Sequence, residues 1–474
     1  MIDKMIPNIK WRNIIKNIMF PSVYSKYTII KFLDRIGPHE PFRKQKIILT
    51  SLIISAIHYL LFPVFFIVKI VAEKIIIRRL LNNKRKFIGR VDSVSIYSAW
   101  FNRYAGGSEA VTANIAQFFE TNYPDCEVTI LCDDYLGIHI DKPASLEEIN
   151  MKYGTILKKT KMVFQKHGFF SFFMYKYYIN FIKTSMNYDI FVNCHTCSNP
   201  SNAAINIHYI HFPAKKEDAL SDFMFNTYVE NIDSFLANSA YSASWASKIL
   251  GVEQILILEP PVLLAPVSDQ LIKKNIILTI GRYSKEKNLE TLINTFTQYN
   301  SFWEGWEYVI IGALDPMNTN YYQYLKMQVV GYPVRLLSNV SKIELMEYMN
   351  ISKIYWHGAG YGADLMKFPS DAEHFGMTVI EAMSAGCIPI VFEVGGPADI
   401  ITENQCGQVW STPYKLATIT QSLIIDEKFA LALSNHSQIS AKKYSVAKFM
   451  EKFGRELDRI ILNTTQLPPG KQKE

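Results

Sequence analysis

From about residue 91 to residue 463, short apolar runs bounded by turn residues alternate with longer stretches of helical periodicity. Val91–Ala99 reads as a strand, followed by the loop Asn102-Arg103-Tyr104-Ala105-Gly106-Gly107 and a helix capped by Ser108. Short apolar strands are expected again at Val128–Cys132, Ile190–Asn193, Ala204–Ile210 and Ser234–Ala237, with helical segments between them, which is the pattern of βαβ units on a parallel sheet. Glu259-Pro260-Pro261 and the residues to Val267 read as a linker, after which Ile276–Ile280 opens a second series. The pattern therefore predicts an α/β protein with two doubly wound, Rossmann-like domains facing a cleft, at 91–265 and 266–445. A helix at 446–463 is expected to pack back on the first domain, and the tail 464–474 to be disordered. Open α/β sheets bind ligands beyond the carboxyl ends of their strands, so a nucleotide is expected in the cleft. The aromatic run Phe164–Ile182 reads either as a long core helix or as a surface for an acceptor lipid.

The first ninety residues are an appendage of different character. Ile47–Val68 holds no Asp, Glu, Lys or Arg, and 22 helical residues would extend roughly 33 Å, enough to cross a hydrocarbon core. Arg43, Lys44 and Lys46 precede the run while Lys69, Lys74, Arg78 and Arg79 follow it, anchoring both ends without choosing an orientation. Pro63 and the amphipathic stretch Ile70–Leu81 leave an in-plane or re-entrant helix open as the alternative to a spanning one. A membrane-associated segment at 1–90, with its helix at 47–68, is the expectation.

Charge changes the picture of the whole chain. The formal net charge of +7 suggests nucleic acid until it is divided: residues 1–90 carry 18 Lys+Arg against 4 Asp+Glu, leaving 32 against 39 for the rest. The body is acidic, which argues against nucleic acid and suits a basic segment against anionic lipid headgroups. The six cysteines (126, 132, 194, 197, 387, 406) form no disulfide framework. Cys194-x-x-Cys197 lacks the second pair that a zinc site needs, so no metal is expected.

Chemistry concentrates in Asp371-Ala372-Glu373-His374-Phe375-Gly376-Met377-Thr378-Val379-Ile380-Glu381. With a helix beginning near Gly376, Glu373 lies in the loop ahead of it and Glu381 about one and a half turns along. One carboxylate can meet a donor sugar and the other ribose hydroxyls, while the free N–H groups around Phe375, Gly376, Met377 and Thr378 can hold a phosphate.

Glu373-x7-Glu381, the His-Phe-Gly between them and the later Gly395-Gly396-Pro397 resemble the retaining GT-B glycosyltransferases of family 4. Within that family the likeness is to lipid-linked-oligosaccharide mannosyltransferases and bacterial surface-polysaccharide transferases. Tyr104-Ala105-Gly106-Gly107-Ser108-Glu109, His208-Tyr209-Ile210-His211-Phe212-Pro213 and Gly281-Arg282-Tyr283-Ser284-Lys285-Glu286-Lys287-Asn288 match in family order across 91–463.

The resemblance implies that Arg282 and Lys287 grip the donor diphosphate, that Gly106 and Gly107 let the backbone approach it, and that Glu373 works at the transferred sugar. It implies that His195, after the strand Ile190–Asn193, lies near that sugar, with His208 and His211 competing for the same place and His211 a candidate on the acceptor side. His357, in Trp356-His357-Gly358-Ala359-Gly360-Tyr361-Gly362, resembles a bacterial subgroup motif and is a candidate for the donor pocket.

The implied reaction is metal-independent transfer of a hexose, possible donors being GDP- or UDP-sugars, with retention, onto a lipid-linked or membrane-bound glycan. No cofactor is implied beyond the nucleotide-sugar substrate. Nucleotide sugars are cytosolic, so the body is expected on the cytoplasmic face of a membrane. Asp133-Asp134 is not Asp-x-Asp and reads as a strand end, which disfavours metal-dependent GT-A chemistry. The first glycine loop lacks Gly-x-Gly-x-x-Gly, which disfavours a dehydrogenase. A catalytically silent GT-B scaffold subunit is the alternative, opposed by the joint presence of Arg282, Lys287, Glu373 and Glu381.

Overall fold

The computed structural model describes residues 72–99, 101, 106–135, 144–167, 176–219, 221–265 and 272–466. The expected membrane helix at 47–68, loop residues Asn102–Ala105 and the tail from 467 lie outside the described residues. Among the described residues no helix is long and apolar enough to cross a membrane. The chain divides into two compact units, the first reaching Leu236 and including Ala246–Leu256 and the chain from Gly454, the second comprising Ala237–Trp245 and Ile257–Phe453.

The first unit is built on a seven-stranded sheet of β1 (Ser93–Tyr97), β2 (Glu127–Tyr135), β3 (Lys161–His167), β4 (Ile190–Asn193), β5 (Ile205–Ile210), β6 (Ser234–Ala237) and β7 (Ile255–Ile257). Their order is β3-β2-β1-β4-β5-β6-β7, and β1–β2, β1–β4, β2–β3 and β4–β5 pair in parallel. Every residue of β4 and β5 is buried. A parallel strand covered on both faces has no solvent side, which is why these runs are apolar without strict alternation. The order reverses between β1 and β4, placing the topological switch point beside Tyr97 and Asn193.

Two local expectations are corrected here. Ser108 does not cap its helix: the helix is Gly107–Asn122, its N-cap is Gly106 in extended conformation, and Ser108 Oγ donates to Glu109 Oε2 at 2.8 Å. A Cβ on Gly106 would lie 2.8 Å from that same carboxylate oxygen, the far end of a flexible side chain that would have to move aside. The aromatic run 164–182 is not one helix, since β3 continues to His167 and a separate helix begins at Lys176 (Lys176–Ser185). Its Tyr177, Tyr178 and Ile182 are buried against Ile77 and Met224. Lys84 and Arg85, at the end of the basic segment, are ion-paired. Lys84 Nζ lies 2.8 Å from Asp233 Oδ2, and Arg85 lies 3.1 Å from the buried carboxylate of Asp189. Asp189 also accepts from the Asp92 and Ser93 N–H groups at 2.9 Å, so its charge is paired where it is buried.

The second unit holds a six-stranded sheet of β8 (Lys274–Ile280), β9 (Glu307–Gly312), β10 (Val334–Ser338), β11 (Ser352–His357), β12 (Ile388–Phe392) and β13 (Gln408–Trp410). The order is β10-β9-β8-β11-β12-β13, parallel throughout. Its switch point lies between β8 and β11. The helix Leu289–Gln298 turns Leu289, Leu292, Ile293 and Phe296 onto the sheet at helical spacing. They join Trp303, Tyr308, Trp356 and Trp410 in a core whose largest members cost about 3–5 kcal/mol each to truncate. Glu259-Pro260-Pro261 leads into an anchored segment: Glu259 pairs with Lys452 at 2.7 Å, and Val262 N–H donates to Tyr444 O at 2.9 Å.

Candidate functional site

The switch point of the second sheet gathers the charged residues. The chain leaves β8 through a tight turn at Lys285–Lys287, and Asn288, at φ 54°, closes it and enters the next helix. Asn tolerates this left-handed geometry better than a branched side chain, and its Nδ2 donates to Tyr361 O, tying the turn to the segment after β11. Lys287 is thereby held at the carboxyl end of the sheet, and its Nζ lies 2.5 Å from Glu373 Oε2. His357 ends β11; its ring is buried, with Nε2 3.5 Å from the same carboxylate oxygen. At that distance the contact is electrostatic, and neither ring nitrogen of His357 makes a hydrogen bond.

Glu373 is placed by its backbone. Gly396 N–H donates to Glu373 O at 2.9 Å, and a Cβ on Gly396 would fall 2.1 Å from His374 O and 2.7 Å from Phe375 Cα. Only glycine permits that approach of two backbone segments. Gly376, at φ 90°, turns the chain into the helix Met377–Ser384, and a Cβ there would meet Pro397 Cγ at 2.7 Å. Gly395-Gly396-Pro397 and the Glu373–Gly376 loop thus form one interlocked support. Ser239 Oγ donates to His374 O at 2.6 Å, and Tyr241 OH to Pro369 O at 2.7 Å, steadying the loop from the Ala237–Trp245 stretch of the same unit.

Electrostatics follow from this packing. Burial pushes the Glu373 carboxyl upward, but the Lys287 charge, together with His357, outweighs it and holds the group well below the usual carboxylate range. Glu381 is the opposite case: burial raises it to about 7, with only the distant Lys342 charge opposing. Two glutamates eight positions apart therefore differ in ionisation, which suits one to an ion pair and the other to hydroxyl groups it can meet as donor or acceptor. Thr378 Oγ1 accepts from Tyr355 OH at 2.9 Å, fixing the first helical turn against β11. Arg282 is not brought into the cluster. It is exposed, and its guanidinium lies 3.4 Å from Glu286.

The histidines of the first unit are sorted by their bonds. His208 is buried within β5, with Nδ1 bonded to Tyr228 OH and Nε2 3.2 Å from His195 O. Burial lowers it to about 3, and both nitrogens are engaged, which marks it as structural. His195 follows β4 at the switch point, its ring edge-on to Tyr97 at 5.9 Å and its titration lowered by burial to about 4. His211 is half-buried beside Tyr209, with ring centroids 5.0 Å apart. Gly106 and Gly107 stand at the exposed start of their helix. Cys197 Sγ lies close to the Asn193 amide, and burial pushes the thiol up to about 12, so it is not a ready thiolate. Among the described residues no three His, Cys, Asp or Glu side chains cluster as metal ligands.

Sequence reasoning did not single out Asn288 as the anchor of the Lys287 turn, nor Tyr355 as the partner of Thr378. The asparagine before a helical run was the available signal for the first; the second arises only from strand packing.

Residues 267–438 match the family model described as glycosyl transferases group 1. A Dictyostelium discoideum protein named GDP-Man:Man(3)GlcNAc(2)-PP-Dol alpha-1,2-mannosyltransferase is 26% identical over 208 residues, covering 40% of this chain and 38% of its own length. The human alpha-1,3/1,6-mannosyltransferase ALG2 is 23% identical over 205 residues, covering 40% of this chain and 46% of its own. The chain thus spans less than half the length of these relatives. Among solved structures, Anabaena Alr3699/HepE in complex with UDP superposes with a TM-score of 0.60 at 13% identity, covering 78% of this chain and 100% of that one. Sucrose-phosphate synthase from Thermosynechococcus elongatus does so at 0.59 and 14%, with the same coverage. Likeness at this identity establishes the fold, two Rossmann-like parallel-sheet domains of the GT-B type.

Proposed function

We propose, from the premise that this chain belongs through residues 267–438 to the glycosyl transferases group 1 family, that it moves a hexose from a nucleotide sugar to a lipid-linked or membrane-bound glycan. The observation that carries the reading is the Lys287–Glu373–His357 cluster at the switch point of the second sheet. A cation and a carboxylate held together where an open α/β sheet binds ligands can serve a diphosphate and the sugar attached to it.

In this reading Lys287 and Arg282 take the diphosphate, the backbone around Phe375–Thr378 adds N–H donors, Glu373 and His357 face the transferred sugar, and Glu381 meets the ribose. Arg282 must leave Glu286 to do so, a small cost for an exposed pair. Transfer is metal-independent with retention at the anomeric carbon. The mannosyltransferase names of two relatives favour GDP-mannose as the first donor to try, with UDP-sugars next. The basic N-terminal segment associates with membrane lipid, keeping the body at the cytoplasmic face.

The test is incubation of the full chain with a panel of labelled GDP- and UDP-sugars and membrane lipid extract. Label from one donor in the lipid phase, absent with Glu373→Ala, supports the reading and names the sugar. Donor binding or turnover absent across the whole panel overturns it.

A further inference from the structure

Lys287 and Glu373 neutralise each other at 2.5 Å. A diphosphate that recruits Lys287 draws on the same ammonium donors that hold Glu373. Once Lys287 turns to the phosphates, the Glu373 carboxylate is left partly buried with His357 as its nearest partner, 3.5 Å away. The His357 ring is almost fully enclosed, 8% exposed, and both nitrogens are without hydrogen bonds. A buried imidazole whose nearest polar contact is a carboxylate 3.5 Å away still has hydrogen-bonding capacity to use. Imidazole is also the side chain that gains a proton most readily near neutral pH.

We propose that binding of a nucleoside diphosphate draws Lys287 away from Glu373 and that His357 takes up a proton from solvent to replace it, pairing with the carboxylate through Nε2. This rests on the donor-site reading above. The balance is simple: Lys287 keeps its ammonium and gives it to the phosphates, Glu373 stays ionised, and one solvent proton enters on the imidazole. His357 is thus a positioning residue that keeps Glu373 charged and oriented after its first partner has left.

The titratable groups facing this pair come from four elements. Lys287 comes from the turn after β8, His374 from the loop that carries Glu373, Tyr355 from β11, and Glu381 from the following helix. Tyr355 donates to Ile280 O and Thr378, and His374 Nε2 is engaged by Ser370 O at 3.2 Å. Glu381 is itself raised by burial. None of them is as well placed as His357 to supply the missing positive charge.

The measurement is isothermal titration of the full chain with UDP, GDP and inorganic pyrophosphate near pH 7, in buffers of different ionisation enthalpy, which counts protons exchanged per ligand. The native protein should take up more protons than His357→Gln, by up to one per ligand. Its Kd should weaken with rising pH by up to about tenfold per unit more steeply than the variant's. The comparison between proteins removes the titration of the ligand's own phosphates. His357→Asn provides the same comparison should the glutamine variant not fold. Equal proton counts in native and variant, with nucleotide bound by both, overturn the proton proposal while leaving the donor site standing. Failure of the native protein to bind any of the three overturns both.

Discussion

Replacing Lys287 with methionine removes the ammonium, keeps most of the side-chain volume, and leaves Glu373 as a carboxylate without its main partner. Each member of the pair is 23% exposed. Deleting one partner of a fully buried pair costs about 3–5 kcal/mol, and an exposed pair contributes about 0–1. The intermediate burial places the loss at about 2 kcal/mol. For a unit of about 200 residues that lowers Tm by about 4–8 °C. The pH dependence gives the sharper test. Glu373 is held below its unfolded value, so the stability it contributes is complete above the unfolded glutamate range, near about 4.3, and is lost as pH falls through the folded value. The variant has little of this contribution to lose. Thermal unfolding followed by circular dichroism should show the native–variant gap widest at neutral pH and closing in acid. Equal melting at pH 7, or a gap that stays constant into acid, would refute the reasoning.

Three further outcomes follow from the same geometry. Gly396→Ala places a Cβ 2.1 Å from His374 O, so the Glu373 loop must shift; transfer should fall by about 10²-fold, the usual scale for a displacement near 1 Å, and near-native turnover would contradict the interlocked support. Glu381 is raised to about 7 by burial, so its ionisation costs stability as pH rises from the unfolded glutamate range through 7. Glu381→Gln should therefore melt above the native protein beyond pH 7 and match it below about pH 4, and identical melting at both ends would show that the carboxyl is not strained. His208→Ala strips Tyr228 OH and His195 O of a buried partner; denaturant unfolding should show a loss of about 1–3 kcal/mol with donor KM unchanged, and a raised KM without destabilisation would assign His208 to the site instead.

The strands most legible in the sequence were those buried on both faces. Ile190–Asn193 and Ser234–Ala237 have the predicted limits, and Ile276–Ile280 is extended only by Lys274 and Asn275. Such runs leave little competition between periodicities. β2 runs past its predicted end at Cys132 to Tyr135, where Asp133, Asp134 and Tyr135 pair in parallel with Gln165, Lys166 and His167 of β3, and the fully buried Asp133 accepts a hydrogen bond from Tyr97 OH on the other neighbouring strand. No local pattern announces that a polar pair will be satisfied across a sheet. Ser108 misled because cap preference is only local: the helix already begins at Gly107, and the Ser108 hydroxyl is spent on Glu109.

The candidate site was legible in its parts and not in its assembly. Glu373 before a helix starting near Gly376 follows from the residues themselves, and Met377–Ser384 is that helix. That Lys287 and His357 share one oxygen of Glu373 depends on β8 and β11 being neighbours, which sequence separation hides. Arg282 bears the same motif signal as Lys287 yet points to Glu286, because it precedes the turn that carries Lys287 inward.

The most direct test of the account is steady-state transfer of the labelled sugar by native protein, Glu373→Gln and Lys287→Met side by side, with circular dichroism confirming that each is folded. The account predicts that both variants lose transfer by at least about 10²-fold, the scale of a preorganised charge removed from a transition state, while retaining native secondary structure. Near-native transfer by either folded variant would contradict the claim that this ion pair is the working centre of the protein.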